Sequence, residues 1–203
     1  MHVYETTELT IHKLSVGPHD NNAYLLRCRA TSTQLLIDAA AEPELLLELI
    51  GDRGLDTVVT THRHRDHWQA LAAVIEATDA TAIAHSADAP AIPVPTITSG
   101  TTIRVGDVSL EVIHLTGHTP GSIALVHRDS AGSTCVFTGD SLFPGGVGNT
   151  EGDPVRFASL LGDVEAKLFD RLPDDTVVYP GHGKDTTLGA ERPALPEWRD
   201  RGW

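Results

Sequence analysis

Thr61-His62-Arg63-His64-Arg65-Asp66-His67-Trp68 places three imidazoles and a carboxylate within six residues, a density of nitrogen and oxygen donors suited to holding metal ions. The hydrophobic run Leu55-Asp56-Thr57-Val58-Val59-Thr60 in front of it reads as a buried strand. Trp68 onward, with Leu71, Val74 and Ile75 at helical spacing, reads as an amphipathic helix. The cluster is therefore expected in a strand-to-helix loop. His62 and His64 alternate with Arg63, so in an extended segment their rings face the same way, while Asp66 and His67 sit at the helix start, rotated away from that pair. Such a layout could serve two adjacent ions.

The remaining chain must position these groups. Leu9 to Val16 and Asn22 to Cys28 read as strands joined by Gly17-Pro18-His19-Asp20-Asn21, with Gln34 to Asp38 as a third strand of an antiparallel meander. Pro43 suits the first turn of a helix reaching Ile50, and Gly51 its stop. Beyond the helix that starts at Trp68 and ends near Asp79, Thr81 to His85 is a short strand, and Pro90, Pro93 and Pro95 enforce a loop. Thr101 to Val105 and Val108 to Leu115 form a hairpin pattern that runs into Thr116-Gly117-His118-Thr119-Pro120-Gly121-Ser122. Ile123 to Arg128 and Thr134 to Thr138 repeat the pattern and deliver Gly139-Asp140-Ser141. After a Gly-rich loop from Phe143 to Thr150, Asp153 caps a helix whose Phe157, Leu160, Leu161, Val164 and Leu168 mark its buried face. Thr176 to Tyr179 is the last strand and ends in Pro180-Gly181-His182-Gly183.

Four strands thus each hand over to a loop carrying His or Asp. If those strand ends share one edge, seven donors converge there: His62, His64, Asp66, His67, His118, Asp140 and His182. Structural zinc sites take four tight ligands rich in Cys, and no Cys is near these motifs in sequence, so an open, catalytic centre is the expectation. His85 also follows a strand and is a weaker candidate for supporting a ligand. His2, His12, His19, His114 and His127 read as surface or core histidines, and Tyr24, Tyr179 and Lys184 as packing or solvent-facing groups.

A chain of 203 residues with 40% hydrophobic content supports one domain, expected over 1–203. The net charge of −13, without a basic run, argues against nucleic acid as a partner and so against a nuclease. No apolar run approaches the roughly 20 residues of a membrane span, and Met1 to Thr10 is polar, so a cytoplasmic enzyme acting on a small molecule is expected. Cys28 and Cys135 lie in strand-like runs without a CxxC and read as buried free thiols.

The ordered set THxHxDH, TGHTPGS, GDSLF and PGHG, spread from about Asn22 to Gly183, resembles the metallo-β-lactamase superfamily, most of all its glyoxalase II-like hydrolases. The resemblance implies an α/β (α+β) fold, a four-layer αββα sandwich with metals at one edge of two mostly antiparallel or mixed sheets. It implies one ion on His62, His64 and His118, a second on Asp66, His67 and His182, and Asp140 with a hydroxide between them. Asp66 and Asp140 are then the catalytic carboxylates. The expected cofactors are two divalent ions, Zn²⁺ first, with Fe or Mn also compatible with imidazole and carboxylate donors. The expected reaction is attack of the bridging hydroxide on the carbonyl of a thioester or ester.

Three features depart from that pattern. Relatives commonly read Gly-Gly where Gln69-Ala70 follows Trp68, and many carry Arg where Asn149 stands. Only twenty residues follow Gly183, so the glutathione-gripping helical C-terminal domain of full-length glyoxalase II is expected to be missing, which argues against glutathione thioesters. The main alternative resembles the persulfide dioxygenases of the same superfamily, with one iron on His62, His118 and Asp140. A lactonase, a β-lactamase and a metal-binding module without turnover rank below it. For the tail with Trp198 and Trp203, packing is the plainer expectation over a partner contact.

Overall fold

The computed structural model describes residues 1–92 and 94–202; Pro93 of the proline loop and Trp203 of the tail lie outside the described residues. The first sheet runs in order β1 (His2–Glu5), β2 (Leu9–Val16), β3 (Asn21–Cys28), β4 (Gln34–Ile37), β5 (Thr57–Thr60), β6 (Thr81–His85) and β7 (Thr96–Ile97). β1 to β4 are antiparallel, as the meander reading required, and β4 to β7 are parallel, with helices α1 (Pro43–Ile50) and α2 (Leu71–Thr78) in the crossovers. The second half of the chain supplies β8 (Thr102–Val105), β9 (Val108–His114), β10 (Ile123–Arg128), β11 (Thr134–Gly139), the small hairpin β12 (Leu142–Phe143) and β13 (Gly146–Val147), then β14 (Val177–Pro180) and β15 (Thr186–Thr187). Its main sheet is ordered β15-β14-β11-β10-β9-β8. Helices α3 (Pro154–Val164), α4 (Leu188–Glu191) and α5 (Leu195–Arg201) follow their strands.

The central strands β3, β4, β10 and β11 are buried on both faces, and alternate side chains enter different layers. In β3, Tyr24, Leu26 and Cys28 point into the core between the sheets, where Val112, Leu125 and Phe137 meet them, whereas Ala23 and Leu25 pack outward on Leu46 and Ile50 of α1 and Leu71 and Val74 of α2. The second sheet repeats this with Ala124, Val126 and Val136 against Phe157, Leu160, Leu161 and Val164 of α3. Each fully buried large aliphatic or aromatic side chain contributes about 1.5–3 kcal/mol of transfer free energy. The result is helix, sheet, sheet, helix, the four layers expected from the sequence. Cys28 and Cys135 are buried free thiols.

The short strands β7, β12, β13 and β15 and the helices α4 and α5 were not foreseen, and three further local features differ from the reading. β1 is exposed along nearly its whole length and pairs only with β2, so it carries no apolar alternation to betray it. The helix expected from Trp68 begins at Leu71. A 3₁₀ turn over Arg65–His67 comes first, and the N–H groups of Gln69 and Ala70 are taken by the Ala40 and Ala39 carbonyls at 3.0 Å each, which ties the turn to the end of β4. Finally, the helix from Pro154, capped by Asp153 as expected, passes into a π-helical turn over Glu165–Phe169.

Candidate metal centre

The two sheets meet at one edge. The Ile123 N–H, at the start of β10, donates to the Thr61 carbonyl just after β5 (3.0 Å), and the Asn22 N–H of β3 donates to the Gly181 carbonyl just after β14 (2.7 Å). β9, β11 and β14 run in the same direction, so the loops after them and after β5 share that edge. The structure therefore brings all seven predicted donors together. His62, His64 and His118 form one group whose donor atoms lie within 4.8 Å of one another, and Asp66, His67 and His182 form another. Alternation in the loop and rotation at the turn separate the two groups as the local sequence suggested.

Asp140 stands between them. Its Oδ2 is 3.9 Å from His62 Nε2, 3.6 Å from His118 Nε2 and 3.3 Å from His182 Nε2, and its Oδ1 is 3.4 Å from His67 Nε2. Two nitrogens bound to one zinc at tetrahedral angles are about 3.3 Å apart, close to the 3.1 Å between His67 Nε2 and His182 Nε2.

Outer partners fix which nitrogen faces inward. His67 Nδ1 donates to Asp38 Oδ2 (2.8 Å), His118 Nδ1 to the Asn149 carbonyl (2.8 Å) and His182 Nδ1 to the His19 carbonyl (2.8 Å); these oxygens can only accept. The Thr61 hydroxyl donates to Asp38 Oδ2 (2.8 Å), which leaves it to accept from His62 Nδ1 (3.1 Å). All four rings thus turn Nε2 toward Asp140. His62 Nε2, His118 Nε2 and Asp140 Oδ1 are buried and have no hydrogen-bond partner, which is the condition of groups built to bind an ion. Gly181 leaves the space they need, since a Cβ there would strike the Asp140 carboxylate and come within 2.8 Å of His67 Cε1. The donor set, all nitrogen and oxygen, fits two divalent ions.

The electrostatics follow from burial and charge. Burial lowers the pKa of His62 well below the usual imidazole value, reinforced by neighbouring His67, and burial also lowers His118, so both offer neutral lone pairs. Burial opposes the charge on Asp140, but the imidazoles of His182 and His67 beside it hold its pKa well below the carboxylate range. For His67 burial would lower the pKa, yet the carboxylates of Asp38 and Asp140 push it up to about 10.

Two carboxylates that the sequence reading passed over support the loops. Asp38 lies just after β4 in the left-handed region (φ 58°) and accepts from the Thr61 N–H and hydroxyl (2.8 Å each) as well as from His67. Asp88 accepts from the Arg63 N–H (2.9 Å), the Thr119 hydroxyl (2.6 Å) and the Gly121 N–H (2.8 Å), joining the His62 loop to the His118 loop. Gly121 fits there because a Cβ would approach the Asp88 nitrogen to 2.6 Å. Both acids follow strands of the first sheet, so the pattern of strand ends was their available signal. His85 instead stacks on His114, ring centroids 4.1 Å apart, and the His114 Nε2 donates to the Pro120 carbonyl of the His118 loop (2.7 Å). Tyr24 is buried between the sheets and donates to the Pro180 carbonyl (2.6 Å), steadying the loop of His182. Trp68 closes its own loop through Nε1 to the Arg63 carbonyl (3.0 Å), with the Arg65 guanidinium 4.2 Å above its ring.

A family model described as the metallo-beta-lactamase superfamily matches residues 16–182. The chain belongs to the metallo-β-lactamase superfamily. Within it, a hydroxyacylglutathione hydrolase of Polaromonas sp. is 38% identical over 168 residues, 80% of this chain and 62% of that protein, so the chain spans under two thirds of that relative's length. The crystal structure of ETHE1 from Myxococcus xanthus is similar with a TM-score of 0.80 and 32% identity, covering 92% of this chain and 83% of its own. TTHA1623, crystallised in a di-iron-bound form, is similar with a TM-score of 0.74 and 34% identity, over 89% of this chain and 96% of its own.

For this superfamily member, Asp38→Asn tests how far the support of His67 matters. Metal affinity is expected to fall about 10–100-fold, read by zinc titration against a chromophoric chelator. Metal-free His67, with its pKa raised from 6.5 to about 10, carries a second proton at pH 8, and the stabilisation this cation brings is complete below pH 6.5 and lost as pH rises through about 10. Zinc loading at pH 8 should therefore expel a proton from the native protein and less than one from Asp38→Asn, seen as buffer-dependent heat in calorimetry.

Proposed function

We propose that this chain is a dinuclear metal-dependent hydrolase of a small-molecule thioester or ester. Asp140 carries the reading, as one ionised carboxylate within 3.3–3.9 Å of four imidazole nitrogens drawn from both donor groups. In this reading His62, His64 and His118 hold one ion, Asp66, His67 and His182 the other, and Asp140 is shared. Two divalent ions in these positions would polarise a carbonyl and bring the pKa of a shared water toward neutrality. The chain's own task is to keep the donors ready. Asp140 stays charged at neutral pH, and Asp66 is held by the Asn21 side-chain amide, which donates to its Oδ2 (2.9 Å). The inward Nε2 atoms need no rearrangement before an ion binds, and His67 would give up its second proton when it does.

Zinc is the first candidate, and the di-iron form of TTHA1623 supports iron as the next. A cytoplasmic setting suits the two buried free thiols, and among the described residues no helix is long and apolar enough to cross a membrane. The second reading, a mononuclear iron persulfide dioxygenase on His62, His118 and Asp140, draws weight from the similarity to ETHE1. Elemental analysis of protein purified without added metal, run beside thioester hydrolysis and oxygen-uptake assays, separates them. About two metals per chain with hydrolysis are expected; about one iron, oxygen uptake on a persulfide and no hydrolysis would overturn the proposal.

A further inference from the structure

A different set of metal-binding side chains meets at the other end of the sandwich. His127 lies near the end of β10, Asp129 just beyond it and Glu8 just before β2. β10 begins beside the His118 loop and runs away from it for six residues, which puts about 20 Å between the two ends. This cluster is thus separate from the centre described above.

His127 is the telling group. It is 1% exposed and neither ring nitrogen has a hydrogen-bond partner. Its Nε2 lies 3.7 Å from Glu8 Oε2 and 3.7 Å from Asp129 Oδ2, too far for hydrogen bonds. Donors about 2.0–2.2 Å from one zinc ion stand roughly 3.3 Å or more apart, so the same distances suit an ion between them. All three donor atoms lie within 4.8 Å of one another.

The surroundings preset the donors. Asp129 is anchored by the Ala131 N–H on Oδ1 (2.8 Å) and the Glu8 N–H on Oδ2 (3.1 Å). Burial lowers the His127 pKa, which leaves a neutral ring with a free lone pair. Glu8 is half-buried, and a cleft of about 240 Å³ bordered by Tyr4, Thr6, His127 and Thr134 gives an ion its way in.

We propose that Glu8, His127 and Asp129 bind one divalent transition-metal ion of the zinc class, through one imidazole nitrogen and two carboxylate oxygens, with water completing its shell. Glu8 immediately precedes β2 of the first sheet, and His127 and Asp129 stand at the end of β10 of the second, so the ion would staple the sheets at the end away from the candidate catalytic centre.

The test compares zinc-loaded wild type with Glu8→Gln and His127→Gln after desalting. Glu8→Gln keeps the shape of a partly exposed side chain and is not expected to disturb folding. Elemental analysis should find about one zinc fewer per chain in each variant, whatever number the main centre holds. The zinc-dependent rise in Tm should shrink by about 5 °C, and turnover in the Glu8→Gln protein should stay at the wild-type level. Long-range ¹H–¹⁵N spectra of the wild type should show the His127 Nε2 resonance shifting as zinc is added. Equal zinc in all three proteins, or a His127 resonance unmoved by excess zinc, would overturn the proposal.

Discussion

Asp140→Asn is expected to keep the native circular dichroism spectrum while thioester turnover drops about 10³-fold and bound metal falls by about one ion per chain. The amide has the size of the carboxylate, so Gly181 and the packing behind it have no cause to move. What changes is charge and donor count. Among the described residues Asp140 is the anion that lies within 3.3–3.9 Å of all four of His62, His67, His118 and His182, and an amide would turn an N–H₂ toward at least one Nε2 that should stay open for an ion. Removing the shared carboxylate also removes the main counter-charge to two dications in a buried site. Wild-type metal content and turnover in Asp140→Asn would take the residue out of the centre altogether.

Trp198→Ala is expected to cost about 3–5 kcal/mol and lower Tm by about 10 °C, measured by urea and thermal denaturation. Trp198, on α5, is 1% exposed and joins the outer core of the second sheet with Leu160, Leu188 and Leu195. Its ring meets Phe169 edge-on at 6.3 Å, and Phe169 in turn has the Arg192 guanidinium 5.4 Å over its face. The tail therefore belongs to the fold, as the plainer reading of Trp198 held. Because this layer lies behind β14 rather than at the sheet edge, the variant should still bind its metals at low temperature.

The convergence of seven donors was legible because each lies in a loop that directly follows a strand, and strands with continuous apolar runs are easy to find. His62, His64, Asp66 and His67 share one loop, so their division into two groups followed from local geometry alone. Asp38 and Asp88 were not legible. Neither lies in a motif, and each acts on groups 23 or more residues away, contacts that only the folded sheets create. His127 was grouped with histidines read as surface or core; it is buried, and its carboxylate neighbours come from distant parts of the chain. The late start of α2 was hidden for a similar reason, since contacts with the distant Ala39 and Ala40 hold this turn, and Trp68 within it takes a non-helical backbone (φ −149°, ψ 24°).

The division of the donors between the sheets also orders events in time. The first sheet brings His62, His64, Asp66 and His67, and the second brings His118, Asp140 and His182, so neither half alone offers a complete set for either ion. Ion capture must wait for the slow search that docks two sheets of distant sequence. Interactions completed only after that docking leave the rate of folding nearly unchanged and act on the reverse step. The ions would then work as a latch: the loaded protein should fold no faster than the metal-free chain but come apart far more slowly, and a chelator would reach the ions at the pace at which the two halves part.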